Sequence, residues 1–166
     1  MLCFAYGSNM STLRLASRIP ARFVTTALLP AYRLAFHQHS GDGSGKCDIV
    51  PASDPSAVYG VIWEVASPHK PTLDRYEGLG VSYNETWLTV TDLASDRRFD
   101  VQAYVGNVTS HGIRPYTWYK HHVLAGAIEH RLPASYIRAL KRIDAHKDPD
   151  NERHELEMAL HGHVET

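Results

Sequence analysis

The chain predicts an α+β fold, and three observations carry that expectation. Apolar, β-branched stretches crowd the first part of the sequence, and helix-patterned stretches fill the end from Pro115 onward. Neither an internal repeat nor a linker divides the 166 residues. Five or six short strands in one strongly bent mixed sheet can close as a small barrel with helices packed outside it. One domain is expected over residues 1–150, with a helical extension over 151–166.

The elements follow in order. Leu2–Tyr6 is a short apolar strand that runs into the small polar residues Gly7-Ser8-Asn9. Ser11 is placed to cap a helix over Thr12–Arg18, because its hydroxyl can accept a backbone N–H that the first turn leaves free. Phe23–Leu29 and Tyr32–His37, parted by Pro30-Ala31, form a strand pair or one bent strand. Ser40–Lys46 is a glycine-rich loop. Val58–Val65 is rich in β-branched and aromatic residues and reads as a strong strand. Ser67 and Pro68 open a helix as N-cap and first helical residue, and Gly78 suits the position after its end at Glu77. Strands over Tyr83–Thr91 and Phe99–Val105 come next, joined by the polar turn Asp92–Arg98. Helices are expected over Tyr116–His130, Pro133–Asp144 and Glu152–His161. Trp63 and Trp87 are expected in the core.

Composition removes several function classes. The formal charge is −1 and 43% of residues are hydrophobic, which suits neither a disordered chain nor a nucleic-acid surface. No apolar run approaches the ~20 residues that a membrane helix needs. Met1–Phe4 lacks the basic start of a secretion signal. Two cysteines, Cys3 and Cys47, make no disulfide framework and fit reduced thiols in the cytoplasm. Eleven histidines include His37/His39, His121/His122 and His161/His163, but none has a zinc-site spacing, so no metal is expected. The last pair falls in an expected frayed tail.

Two places carry chemistry. The first is Tyr6-Gly7-Ser8-Asn9-Met10-Ser11, a strand-to-helix loop able to point several backbone N–H groups at one spot. Such a nest suits a carboxylate or a developing oxyanion. Gly7 permits close approach of a ligand and a positive φ. The same string also reads as an ordinary turn. Ser8 is placed as a loop donor rather than a nucleophile, since the second glycine of a Gly-x-Ser-x-Gly elbow is missing. The second place is Glu77, at the C-terminal end of its helix, where the macrodipole disfavours negative charge and raises the carboxyl pKa. The glycine-rich loop is not a phosphate-binding loop, because Ser40 and Cys47 stand where that motif needs Gly and Ser/Thr. It reads as a mobile surface loop, or as a lid whose Lys46 reaches an anionic group of a substrate. Tyr83, Tyr104 and Tyr119 are candidate pocket residues.

Three stretches together resemble the γ-glutamylcyclotransferase family of the AIG2-like superfamily. They are Tyr6-Gly7-Ser8-Asn9, then Leu73-Asp74-x-x-Glu77-Gly78 after Val58-Tyr59-Gly60-Val61-Ile62-Trp63, and then Trp118-Tyr119-Lys120 before an apolar helix and Leu132-Pro133. The resemblance spans Leu2 to about Asp150 and implies that family's fold, a mixed barrel with helices. It also implies Glu77 as catalytic acid/base and a substrate site at Tyr6, Gly7, Ser8, Asn9, Met10, Ser11 and Tyr119. The implied reaction cyclises a γ-glutamyl group to 5-oxoproline and frees an amine or amino acid. It needs no cofactor and no water. The partners are then a small γ-glutamyl substrate and, in a homodimer, a second copy, with neither nucleic acid nor membrane. Asp48 departs from the small residues of the family and would face a basic substrate group or water. Two alternatives stay open: a non-catalytic binder on this fold, and a serine hydrolase using Ser8.

Overall fold

A computed structural model describes residues 1–161. Strand β1 (Leu2–Ala5) leads through a 3₁₀ turn (Ser8–Met10) into α1 (Thr12–Ala16). Strands β2 (Arg22–Pro30), β3 (Tyr32–His39), β4 (Gly45–Pro51) and β5 (Ala57–Glu64) follow. A second 3₁₀ turn (Ser67–His69) opens α2 (Lys70–Glu77). Then come β6 (Tyr83–Asp92), β7 (Arg98–Gly106), α3 (Thr117–Glu129), α4 (Ala134–Lys141) and α5 (Asn151–Ala159).

Five strands close into a barrel in the order β1-β5-β2-β6-β7, so the expected α+β barrel with outer helices is the fold found. Closure is a parallel contact of β1 with β7, Cys3 opposite Gln102, while the other neighbours are antiparallel. β3 and β4 form a separate two-stranded sheet. The split from β2 follows from local chemistry: Pro30 has no N–H for a continuing ladder, and Ala31 turns the chain at φ 58°. Neither sequence alternative is adopted: the two are separate strands that do not pair, β2 lying between β5 and β6 and β3 against β4.

Val58, Val61, Ile62, Val90 and Val101 have no exposed surface and form the barrel core with Trp63. Trp87 does not join them and is 63% exposed, a correction to its expected core place. The strand period explains this, since fully buried Val90 fixes the inner face of β6 and Trp87 falls on the other. α3 packs on the turn after β1 without room to spare. A Cβ on Gly126 would lie 2.4 Å from the Ser11 nitrogen and 2.6 Å from Met10 Cβ. That close approach anchors the loop behind the candidate site.

The caps are partly as read. Ser11 Oγ accepts the Arg14 N–H at 3.2 Å, as expected, although α1 ends two residues earlier than Arg18. Ser67 is not an N-cap; it begins the 3₁₀ turn, and Lys70 N–H donates to its carbonyl. Pro71 has no N–H to give that carbonyl an α-helical partner, so the tighter bond takes over. The glycine-rich segment is a pinned turn. Ser40 N–H donates to the Ser44 carbonyl, Ser44 N–H and Oγ to Asp42, and Tyr116 Oη to the Asp42 carbonyl. Ser44 is fully buried at the base of this turn, while Gly41 and Gly43 at its tip are exposed.

α5 packs back on the fold. Glu157 accepts from Arg14 Nη1 at 2.5 Å and faces His122 Nε2 at 2.9 Å. His161, expected in a frayed tail, lies with Nε2 2.6 Å from His122 Nδ1, while His163 falls outside the described residues. Among the described residues, no three His, Cys, Asp or Glu side chains are grouped to hold a metal ion. No helix among them is long and apolar enough to cross a membrane.

Candidate active site

β1 delivers Tyr6–Asn9 to the mouth of the barrel, and α2 delivers Glu77 to the same place. Gly78, left-handed at φ 66°, ends α2, and its N–H and that of Leu79 cap the carbonyls of Arg75 and Asp74. The chain turns away there, so Glu77 is left on the last turn of α2 at a cavity wall. Tyr6, Gly7, Ser8, Asn9, Glu77, Tyr83, Tyr104 and Tyr119 line one cavity with Cys3, Cys47, Trp63 and Leu73. The structure thus brings together six of the eight residues implied by the resemblance. Met10 and Ser11 do not line the cavity; both are fully buried behind it against α3.

Glu77 is held from two sides. Asn9 Nδ2 donates to Oε1 at 2.6 Å, and Arg18 Nη1 donates to the same oxygen at 3.2 Å. Arg18 also reaches Asn9 Oδ1 at 3.0 Å and lies over the Tyr76 ring. Burial pushes the Glu77 carboxyl above its ordinary pKa, while Arg18, the Asn9 bond and Arg14 pull it partly back. Trp63 Nε1 donates to the Asn9 carbonyl at 3.0 Å and so fixes the backbone of the loop. No side chain among the described residues caps the N-terminal end of the Ser8–Met10 turn, which leaves its first N–H groups open to a ligand.

Gly7 is needed for space, not for a positive φ. Its φ is −116°, and a Cβ there would lie 3.0 Å from Tyr119 Oη and 3.1 Å from Cys47 Cβ. Tyr119 Oη in turn accepts the Cys47 N–H at 3.0 Å. Tyr83 Oη donates to the Cys47 carbonyl at 3.0 Å, Tyr6 Oη to the Tyr104 carbonyl, and Tyr104 Oη to Asp74 at 2.7 Å. Burial drives the Tyr6, Tyr83 and Tyr119 hydroxyls well above their ordinary pKa, so they stay neutral donors. It also lifts the thiols, Cys3 to about 11 and Cys47 to about 12, which leaves both protonated and poor nucleophiles.

Asp48 is turned into the protein rather than toward the cavity or the surface. Its carboxylate is 4% exposed and accepts from the N–H groups of Ile49 and Gly106 at 2.8 and 2.7 Å, with His37 Nε2 at 2.8 Å. It stitches β4 to the end of β7. Arg18, which touches Glu77, is not singled out by the sequence. Nothing local ties a basic residue after α1 to a glutamate on α2.

A model of the AIG2-like family matches residues 57–140. Two curated relatives are the γ-glutamylcyclotransferases of Bos taurus and Homo sapiens. They are 28% and 29% identical over 149 residues, covering 86% of this chain and 78% of each relative. A solved structure of a γ-glutamyl cyclotransferase superposes with a TM-score of 0.80 at 28% identity, covering 87% of this chain and 88% of that one. A yeast γ-glutamyl cyclotransferase specific to glutathione shares the fold, with a TM-score of 0.63 at 12% identity over 84% of this chain and 93% of that one. With the family model spanning half of its length and the barrel shared with these proteins, the chain belongs to the AIG2-like family.

Proposed function

We propose that the chain is a γ-glutamyl cyclotransferase. The α-amine of a γ-glutamyl group attacks its own γ-carbonyl, closes a five-membered ring, and releases 5-oxoproline and an amine. The observation that carries this reading is the meeting of Glu77 with the Tyr6–Asn9 loop in one cavity, Asn9 Nδ2 lying 2.6 Å from Glu77 Oε1.

The chemistry needs a proton taken from the α-ammonium, an oxyanion held, and a proton given to the leaving nitrogen. Glu77 serves as the shuttle, accepting the first proton and returning it. An ordinary glutamate near ~4.3 and an α-amine near ~7.8 differ by about 3.5 pH units, or roughly 4.8 kcal/mol. Burial of Glu77 narrows that difference. The N–H groups at the start of the Ser8–Met10 turn are the donors for the oxyanion or the α-carboxylate, each such donor contributing about 3 kcal/mol. Proximity favours the ring closure, because nucleophile and electrophile share one molecule. A serine-hydrolase reading finds no support, since no histidine among the described residues lines the cavity to activate Ser8.

The test is 5-oxoproline release from a panel of γ-glutamyl amino acids and γ-glutamyl amines, comparing wild type with Glu77→Gln. Release by wild type alone is the expected result. Equal release by the variant removes Glu77 from the mechanism. Ligand-dependent thermal stabilisation without product favours a binder instead.

A further inference from the structure

The cavity at Glu77 adjoins a second, polar chamber, called the outer chamber below, and Ser8, Glu77, Tyr83 and Tyr119 line both. With the γ-glutamyl head occupying the inner cavity, the departing amine has this outer chamber to extend into. We propose that the outer chamber is a leaving-group subsite selective for anionic leaving groups, dicarboxylic amino acids before neutral ones and cationic amines last, with Arg14 and Lys46 as its specificity residues. The proposal rests on the cyclotransferase reading and deepens it.

The chamber is lined by four cations, Arg14, Arg18, Lys46 and Arg153, against the carboxylates of Asp42, Glu77 and Glu157. The cations crowd one aromatic wall. Lys46 Nζ sits 4.4 Å from the Trp118 ring centre and 4.8 Å from that of Tyr119, and the Arg14 guanidinium lies 5.9 Å from Trp118. Arg153 stands over the neighbouring Tyr116 ring at 5.7 Å. Arg14 and Lys46 are nearly out of water, with side chains 14% and 13% exposed. Their own mutual repulsion is visible in the acid–base balance. Burial first, and then Arg14 and Arg153, lower the Lys46 ammonium, and burial and Arg18 lower the Arg14 guanidinium.

The acidic groups are already engaged inward. Glu157 accepts from Arg14 Nη1 and faces His122, while Asp42 accepts from Lys46 Nζ at 2.7 Å and from both Ser44 donors. One cationic donor is left over: Arg14 Nε is buried without a hydrogen-bond partner among the described residues. A buried, unpaired charged donor is costly, and a turn of the Arg14 side chain that presents it to a ligand carboxylate restores the missing bond. When Glu77 takes up the substrate proton it becomes neutral, and with Arg153 matched by Asp148 the chamber keeps three cations, Arg14, Arg18 and Lys46, against Asp42 and Glu157. A polyamine leaving group meets like charge there, and a dicarboxylic amino acid meets the opposite charge.

The experiment measures kcat/KM by 5-oxoproline release for γ-glutamyl-glutamate, γ-glutamyl-alanine and γ-glutamyl-putrescine. Wild type should rank them in that order, with about tenfold between successive members, equivalent to ~1.4 kcal/mol per step. Arg14→Met and, separately, Lys46→Met should compress the ranking, and Arg14→Lys should preserve it. Arg14→Met also strips Glu157 of a partner, so its melting temperature is measured alongside. Lys46 does not contact Glu157 and keeps the test alive if Arg14→Met fails to fold. Turnover of all three substrates with a flat or reversed ranking overturns the subsite and leaves the cyclotransferase reading standing. So does a ranking that neither variant changes. If no substrate turns over, the cyclotransferase reading falls, and the anion site is judged by melting temperature with L-glutamate against putrescine. A rise with glutamate alone that Arg14→Met removes retains it, and no rise overturns it too.

Discussion

Arg18 and Glu77 share an ion pair across 59 residues of chain, Nη1 to Oε1 at 3.2 Å, and this pair works against burial in setting the charge of the Glu77 carboxyl. Burial favours the protonated carboxyl, which cannot accept a proton. The guanidinium holds part of its negative charge in place. Removing the cation therefore raises the Glu77 pKa, and the limb of the pH–rate profile on which Glu77 loses its proton moves to higher pH. Arg18→Met should shift the acid limb of kcat/KM to higher pH. Arg18→Lys should recover most of that shift. An acid limb that stays put in Arg18→Met would separate Arg18 from the ionisation of Glu77.

Glu77→Gln tests the base and the fold at once. The amide keeps an oxygen for Asn9 and Arg18 but cannot take a proton, so turnover should fall by about 10²–10⁴-fold. A carboxyl whose pKa is raised in the folded state weakens that state above the raised pKa. At neutral pH the variant should thus melt at the same temperature as wild type or higher. A large drop in melting temperature would mean that Glu77 holds the fold together and that lost activity says nothing of chemistry.

Gly7 and Tyr119 are coupled through a single crowded contact. An alanine at position 7 would put its Cβ 3.0 Å from Tyr119 Oη and 3.1 Å from Cys47 Cβ. The hydroxyl must then give way by a few tenths of an ångström, which also disturbs its bond to the Cys47 N–H. Gly7→Ala should lower kcat/KM by about tenfold, ~1.4 kcal/mol. Tyr119→Phe removes the colliding oxygen, so the double variant should lose less than the two single losses combined. Additive losses in that double-mutant cycle would show that the two residues act separately.

What the sequence shows of this molecule is what is set locally. Glu77 before Gly78 marks a helix end, because a left-handed residue is needed there and glycine takes it without strain. Ser11 announces a cap in the same way. The strands of the barrel follow from short β-branched runs, but closure through Cys3 and Gln102 depends on residues far apart in sequence. Arg18 was silent for the same reason, and Asp48 was misread because its partner N–H belongs to Gly106, 58 residues away. Trp87 shows a different limit: large apolar size argues for burial, but the strand period, fixed by buried Val90, turned it outward.

Asp48 is a structural carboxylate, and two substitutions should distinguish charge from hydrogen bonding. Its Oδ1 accepts both the Ile49 and the Gly106 N–H, and its Oδ2 faces His37. Asp48→Asn keeps one oxygen for both N–H groups and should cost at most about 1 kcal/mol. Asp48→Ala leaves those two donors unpaired, at a cost of roughly 2–4 kcal/mol. For a chain of this size the alanine variant should melt roughly 5–15 °C lower. Equal melting of the two variants would place the stabilisation in the His37 contact rather than in the paired N–H groups.

The Trp118–Asp148–Arg153 link should govern acid stability where α5 joins α3. Asp148 is fully buried at its side chain and accepts from Trp118 Nε1 at 2.7 Å and from Arg153 Nε and Nη2 at 2.6 Å each. The Arg153 guanidinium and these bonds hold its carboxyl well below the ordinary carboxylate range. A depressed pKa contributes stability that is fully present above the unfolded-state value near ~3.9 and fades as pH falls toward the folded-state value. Wild type should therefore lose stability as pH drops below about 4, and Asp148→Asn should lose less over that interval. At neutral pH the asparagine variant, with its charge-assisted bonds to Arg153 weakened, should be less stable by about 1.5–3 kcal/mol. Melting curves of both proteins from neutral to acid pH read this directly. Parallel curves, with the difference between the proteins unchanged by acid, would assign the acid loss to other carboxylates.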